Sequence, residues 1–342
     1  MIDFTTVNGR VDLMGQTVLT IVIKGRIFPA DAPLVISNGV TDSIILDGCE
    51  NVVIAGMKFG DLGTTDVRAL NNRPVVISNS KFITVSGNEV ARCSIGISLN
   101  NVTDSLVDGN VIHDLNEDGI RPLDCERVTI KRNEMYDWYI NTGKHPDAMQ
   151  PWNPHLGHDA DGLTIIDNCI RRGAGEVPQG ISVRYQDPTL AKTLGWASYK
   201  NLVVKGNLLI GLAYNGLTLS GQGIAENNEV VSFPDYTSKI VRSGTGVALI
   251  NNKAQQYALG TFSKVAPAGN TLNDPVDPAE EVALVAAWRA RVFPAPAPAP
   301  PPIDPVPVPL PDPVQTPTPY DPLPELIAMR DGLAAIIAKM GG

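Results

Sequence analysis

The sequence predicts an all-β solenoid in which short parallel strands stack in coils of about 22 residues. Three observations carry that reading. The 342 residues include 31 glycines and 28 prolines but only 18% charged residues, a profile of turns and short strands. A strand phrase ending in Asn recurs: FITVSGN (82–88), SLVDGN (105–110), VTIKRN (128–133), LTIIDN (163–168), LVVKGN (202–207), IAENN (224–228) and VALINN (247–252), with NVVIAGM (51–57) as a degenerate earlier copy. A second phrase lies between these: IGISL (95–99), DGIRP (118–122), DAMQP (147–151), QGISV (179–183) and NGLTL (215–219).

Each unit reads as one coil, because a strand pair of this size cannot bury its apolar side alone. Stacking joins the Ile, Val and Leu of successive coils into one column. The asparagines Asn88, Asn110, Asn133, Asn168, Asn207, Asn228 and Asn252 fit an amide ladder along the stack. Asn also tolerates the left-handed backbone expected at a sharp corner. A leucine-rich repeat would need a helical segment in each unit, and a sandwich would give no fixed Asn column.

The regular pattern covers roughly 17–255, after a lead-in at 1–16. Its early strand is TVLTIVIKG (17–25). Within 256–293, a linker should lead to a capping helix that starts on Asp277-Pro278-Ala279-Glu280 and stops at Pro294. Residues 294–324 hold more than half of the prolines, so a polyproline II tether is expected. The segment opening at Glu325 puts Leu326, Ile327, Met329, Leu333, Ile336, Ile337 and Met340 on one side of a short amphipathic helix, an anchor within 325–342.

A net charge of −9 without a Lys/Arg cluster argues against nucleic acid. No apolar run has membrane-spanning length. Cys49, Cys93, Cys125 and Cys169 show no metal spacing and read as buried thiols. The start MIDFTTVNGR shows no secretory signal, so synthesis in the cytoplasm is expected.

The candidate functional face is 118–152. Two steps of the Asn series are long, 133 to 168 and 168 to 207, and the extra residues flank DAMQP. Insertions in a solenoid become loops on one side, which here would wall a groove. Asp118 and Asp147 hold equivalent places about 4.8 Å apart. Such a pair suits general acid–base work on a glycosidic bond, or Ca²⁺ with a further oxygen ligand, or ordinary turn chemistry. The next column outward is Arg121, Gln150, Ser182 and Thr218, and the one after it Trp152, Arg184 and Ser220. Arg121 is placed to bind a uronate, stabilise an oxyanion or pair with an Asp. Trp152, with Trp138, Tyr139 and Tyr185, offers flat surface for a sugar or packs under a loop. Substrate contacts are assigned to Gln150, Trp152, His158, Arg184 and Tyr139. The histidines His113, His145, His155 and His158 all fall in this region. His145 is a candidate base, and Asp159 or Asp161 could orient His158. His155-x-x-His158 lacks the helical spacing of a zinc enzyme, so no resident metal is assigned.

These repeats resemble the right-handed parallel β-helix, pectate-lyase-like superfamily of polysaccharide lyases, some glycoside hydrolases and phage tail spikes. HPDAMQ (145–150) is similar to a turn-and-strand phrase of that company. The resemblance implies a virion-associated spike or decoration protein, assembled in the host cytoplasm, that binds and optionally cleaves bacterial surface polysaccharide. Tail spikes of that family are usually trimers joined to the virion through an N-terminal domain; here a homotrimer is expected too, but the expected attachment to a capsid or tail protein is C-terminal, through 325–340. The alternatives are a structural decoration or adaptor without activity, and a free polysaccharide lyase or glycoside hydrolase.

Overall fold

In the computed structural model of the chain, the described residues are 9–60, 63, 66–156, 158–183, 199–243, 246–259, 262–263 and 266–294. Arg184, Tyr185, the polyproline segment and the amphipathic segment at 325–342 lie outside them.

Sheet A has ten parallel strands in coil order, from Arg10–Asp12 to Val247–Ile250. Its register stacks like on like: Ile36, Ile54, Val85, Val107, Ile130, Ile165 and Val204 form one continuous row. All are buried. Each such side chain contributes about 1.5–3 kcal/mol on burial, so the row is a main source of cohesion between coils.

A second, 20-stranded sheet begins at Thr17–Lys24 and forks at Val40–Asp47. The end of Val40–Asp47 pairs with Val75–Ser78 and its start with Lys58–Phe59. The first branch, sheet B, continues through Ile97–Asn100, Ile120–Leu123, Asp147–Met149, Gln179–Val183, Asn215–Ser220 and Lys239–Ser243. The second branch, sheet C, continues through Glu89–Cys93, Val111–Leu115, Glu134–Trp138, Cys169–Arg171, Leu208–Ile210 and Glu229–Val231 to Thr271–Leu272. Regular pairing thus extends beyond 17–255 at both ends.

The asparagines form the ladder, and it gains one member, Asn270. Each Nδ2 donates to Oδ1 of the next Asn at 2.8–3.0 Å, from Asn88 through Asn252. Each backbone N–H donates to the same oxygen. The left-handed residue is not the ladder Asn but the one before it: Gly87, Gly109, Arg132, Asp167, Gly206, Asn227 and Asn251. The two tasks are divided because the amide must point inward while the corner turns outside.

The small residue in the second phrase is sterically set. A Cβ on Gly119 would lie 2.6 Å from Met135 Sδ and 2.7 Å from Ala148 O, and one on Gly180 would lie 1.9 Å from Gly216 O.

The C-terminal helix α1 spans Glu281–Val292 behind a 3-10 turn at Pro278–Glu280, with a capping box between Asp277 and Glu280. It does not cap the last coil. Val285 and Trp288 pack on the outer side of sheet C, against Cys169, Leu208, Ile210, Val231 and Phe233. These outward apolar residues span three coils and need a cover, which explains the placement. Arg289 pairs with Glu134 (2.6 Å), Arg291 with Asp167 (2.6 Å) and Arg171 with Glu281 (2.9 Å). All four cysteines are free and buried. Burial pushes the Cys125 thiol up to about 12 and raises Cys93 and Cys169 as well, as for inert core thiols.

Candidate functional site

Sheet B brings the predicted columns together. Asp147 is in register with Gln179, and Asn215 Nδ2 donates to Gln179 Oε1 at 2.8 Å, so the turn column is a linked polar file. Ser98 faces Arg121, and Ser182 faces Thr218. The pairs Ile120↔Met149 and Met149↔Ile181 carry the same row from Arg121 through Gln150 to Ser182. The row is bounded by Val76 and Val241. Five consecutive coils thus place polar side chains on one outward line.

Asp118 and Asp147 are neighbours but do not face each other across a cleft. Both are buried. The Asp147 backbone N–H donates to Asp118 Oδ1 at 3.0 Å, and Arg121 Nε donates to Asp118 Oδ2 at 2.6 Å. Gln150 Nε2 donates to Asp147 Oδ2 at 2.8 Å. Burial raises the Asp118 pKa above the ordinary carboxylate value, against the opposing pull of Arg121 and the Asp147 N–H. A Ca²⁺ ion does not fit here. Both Asp118 oxygens are engaged, a guanidinium occupies the adjoining space, and no group of three or more His, Cys, Asp or Glu suited to a metal occurs among the described residues.

Glu117 is the residue that sequence reasoning missed. Its Oε1 accepts from Arg121 Nη2 (2.9 Å), and its Oε2 accepts from Lys144 Nζ (3.1 Å) and Ser94 Oγ (3.0 Å). Burial works against its charge, but hydrogen bonds from Lys144, Arg121 and Ser94 outweigh it and hold the carboxyl below its usual range. Lys144 also reaches Ser94 Oγ (3.0 Å) and Asn116 Oδ1 (3.1 Å), which ties the 139–146 insertion to the preceding coils. The available signal was Glu117 beside Asp118, with a lone Lys in the next insertion.

The other candidates scatter. His145 is exposed, and Gln179 Nε2 lies 3.0 Å from its Nδ1. His113 sits on sheet C, stacked on Tyr136 at 5.1 Å. His155 Nδ1 is 2.7 Å from Asp124 Oδ2. His158 Nε2 is 3.1 Å from Glu126 Oε1. Neither expected orienting acid holds His158: Asp159 pairs with Lys200 (3.2 Å), and Asp161 accepts from Asn201 (2.7 Å). Trp138 is in the core, its indole N–H donating to Arg171 O at 3.2 Å, so it offers no sugar surface. Tyr139 sits at a coil corner under the Arg68 guanidinium (5.7 Å). Trp152 is half-buried in the row beside Leu123, and its indole Nε1 has no hydrogen-bond partner among the described residues.

Two hydroxyls in the central row stand out. Ser182 and Thr218 are 1% and 5% exposed, and neither Ser182 Oγ nor Thr218 Oγ1 has a hydrogen-bond partner among the described residues. A buried unpaired hydroxyl costs about 1–3 kcal/mol, so native chains seldom keep two together without another use for them.

Fold and face together define a parallel β-helix with a polar line along one sheet. The family described as "Right handed beta helix region" matches residues 34–143. No curated protein matches the chain. Among solved structures, the chain is similar to a DFA-IIIase from Arthrobacter chlorophenolicus A6 without its lid, at 11% identity and TM-score 0.35, covering 72% of each chain. It is also similar to the catalytic unit of a GH87 α-1,3-glucanase from Streptomyces thermodiastaticus, at 13% identity and TM-score 0.28, covering 78% of this chain and 61% of that one. A third is the Dettilon tailspike protein, at 12% identity and TM-score 0.31, covering 75% of this chain and 60% of that one. The matched part thus spans under two thirds of the glucanase and of the tailspike. No helix among the described residues is long and apolar enough to cross a membrane.

Proposed function

We propose that this chain is a polysaccharide-binding β-helix whose ligand lies along the outward row of sheet B, from Ser98 to Thr218. The observation that carries this reading is the pair of buried, unpartnered hydroxyls of Ser182 and Thr218, in line with Gln150 and Arg121. Sugar hydroxyls both donate and accept, and a regular file of side chains one coil apart suits a regular polymer. Binding fits better than cleavage. A general acid must hold a proton that is free to pass to the glycosidic oxygen, whereas both Asp118 oxygens are engaged, one by the Asp147 N–H and one by Arg121. The finer reading, a virion protein of the spike or decoration kind, is part of the proposal. It draws its support from the tether-like 294–324 and the amphipathic 325–340.

The test separates stability from binding. Ser182→Ala with Thr218→Val removes two unpaired hydroxyls, so unfolding free energy should rise by about 1–2 kcal/mol. Retention of bacterial surface polysaccharide, read by affinity electrophoresis, should weaken by about tenfold or more. A double variant that is more stable and binds equally well would refute the assignment of the row. Wild type and Asp147→Asn should both leave the polysaccharide uncut when products are analysed by size. Oligosaccharide release by wild type that Asp147→Asn abolishes would establish cleavage instead.

A further inference from the structure

We propose that a second carbohydrate site lies at the corner between sheets C and B, and that it takes a hexuronate residue. The proposal rests on the polysaccharide reading and names an acidic sugar within it. The site is a cavity of about 260 Å³ lined by Asp66, Val67, Arg68, Arg92, Asp114 and Tyr139. Its wall is built: Asn116 Nδ2 donates to the carbonyls of Val67 (2.7 Å), Arg68 (3.2 Å) and Leu70 (2.8 Å), fixing the 3-10 turn Val67–Ala69 over the corner.

The two arginines of the cavity differ. Arg68 is engaged, with Nη2 on Glu176 Oε1 at 2.6 Å and its guanidinium over Tyr139. Arg92 forms no ion pair among the described residues, and its buried Nε has no hydrogen-bond partner there. A charged donor left unpaired in a cavity is the group that an incoming carboxylate satisfies best. The two acids are occupied locally rather than by Arg92. Asp66 Oδ1 accepts the Arg68 N–H (3.0 Å), and Asp114 Oδ2 lies 3.0 Å from His113 Nδ1. Their remaining oxygens are acceptors for sugar hydroxyls. The same acids oppose any anion, and they oppose a compact multivalent one such as phosphate more strongly than a singly charged carboxylate. One guanidinium with two hydroxyl acceptors matches a ring that carries one carboxylate and several hydroxyls.

The full-length chain is titrated by calorimetry with oligoglucuronate and oligogalacturonate, with neutral glucose oligomers, and with inorganic phosphate as competitor. Wild type should prefer a uronate oligomer over the neutral one by about tenfold or more. Arg92→Gln should erase that preference with no fall in Tm, because no protein hydrogen bond of its Nε is lost. Equal affinity for acidic and neutral oligomers, a preference that survives Arg92→Gln, or displacement of the uronate by phosphate each overturns the site. If neutral glycan binds and is lost in the Ser182/Thr218 variant while no uronate preference exists, the polysaccharide reading stands and this site does not. Failure to bind any glycan ends both.

Discussion

Replacing Arg121 by methionine should lower the unfolding free energy at neutral pH by about 3–5 kcal/mol, a loss that acid partly reverses. The guanidinium is held at 2.6 Å from Asp118 and 2.9 Å from Glu117. Methionine fills much of the same volume, so the loss comes from leaving Asp118 ionised and buried without its cation. The sign of the pH effect follows from linkage. Burial already raises the folded-state pKa of Asp118, and Arg121 opposes that rise. Without Arg121 the folded-state value moves further above the unfolded one. The folded chain then holds that proton more tightly than the unfolded chain does. Stability of the variant, relative to wild type, should therefore recover as pH falls through the raised value and level off below about 3.9. Urea unfolding from pH 7 to pH 4 measures this. The reference is Arg121→Met with Asp118→Asn, in which the recovery should vanish. A variant whose deficit is the same at every pH would show that Asp118 is not the group left exposed to the loss.

That result bears on function. Arg121 is the obvious target for a sugar-binding test, yet its removal disturbs the coil it holds together. Loss of binding in an Arg121 variant would therefore not distinguish contact from collapse. Ser182 and Thr218 lack this defect, since their hydroxyls bond to no described residue.

The solenoid was legible because its period is written in one residue type with one task. Asn is the side chain that both donates and accepts along the axis, so its spacing reports the coil directly. The columns of sheet B were legible for a related reason: in parallel register, equivalent positions in each phrase stack without a twist in the count. The insertions were less so. Their length marked the side of the solenoid, but where His155 and His158 settle depends on Asp124 and Glu126, a coil earlier and outside any repeat phrase. The carboxylate pair was legible in position but not in its hydrogen bonds. Register made Asp118 and Asp147 neighbours, but local hydrogen bonds turned one onto the other's backbone and onto Arg121. Helix α1 shows the limit from the other side. Its capping box was readable from four residues, whereas its resting place depends on outward Cys169, Leu208, Ile210 and Val231 of three coils, which no local pattern joins.

Asn133→Ala, at the middle of the ladder, should cost about 3–6 kcal/mol, more than any single substitution among the outward residues of sheet B apart from Arg121. Asn133 Oδ1 accepts from the backbone N–H and the Nδ2 of Asn110, at 3.0 and 2.9 Å. Its Nδ2 donates to Asn168 Oδ1, Val107 O and Lys131 O at 3.0–3.1 Å. Alanine leaves two donors of Asn110 without partners in a fully buried place, at about 1–3 kcal/mol each, and opens a small void. The same change at Asn270 should cost much less. It accepts the equivalent pair of bonds from Asn252, but it is half-buried at the end of the row, where water can replace it. Because each coil contacts only its neighbours, the central break should also weaken coupling along the stack. The expected signature is a lower midpoint with a broadened or split urea transition for Asn133→Ala, and one sharp transition for Asn270→Ala. Equal losses at both positions would mean that the ladder acts as independent hydrogen bonds, and that the apolar row of sheet A alone couples the coils.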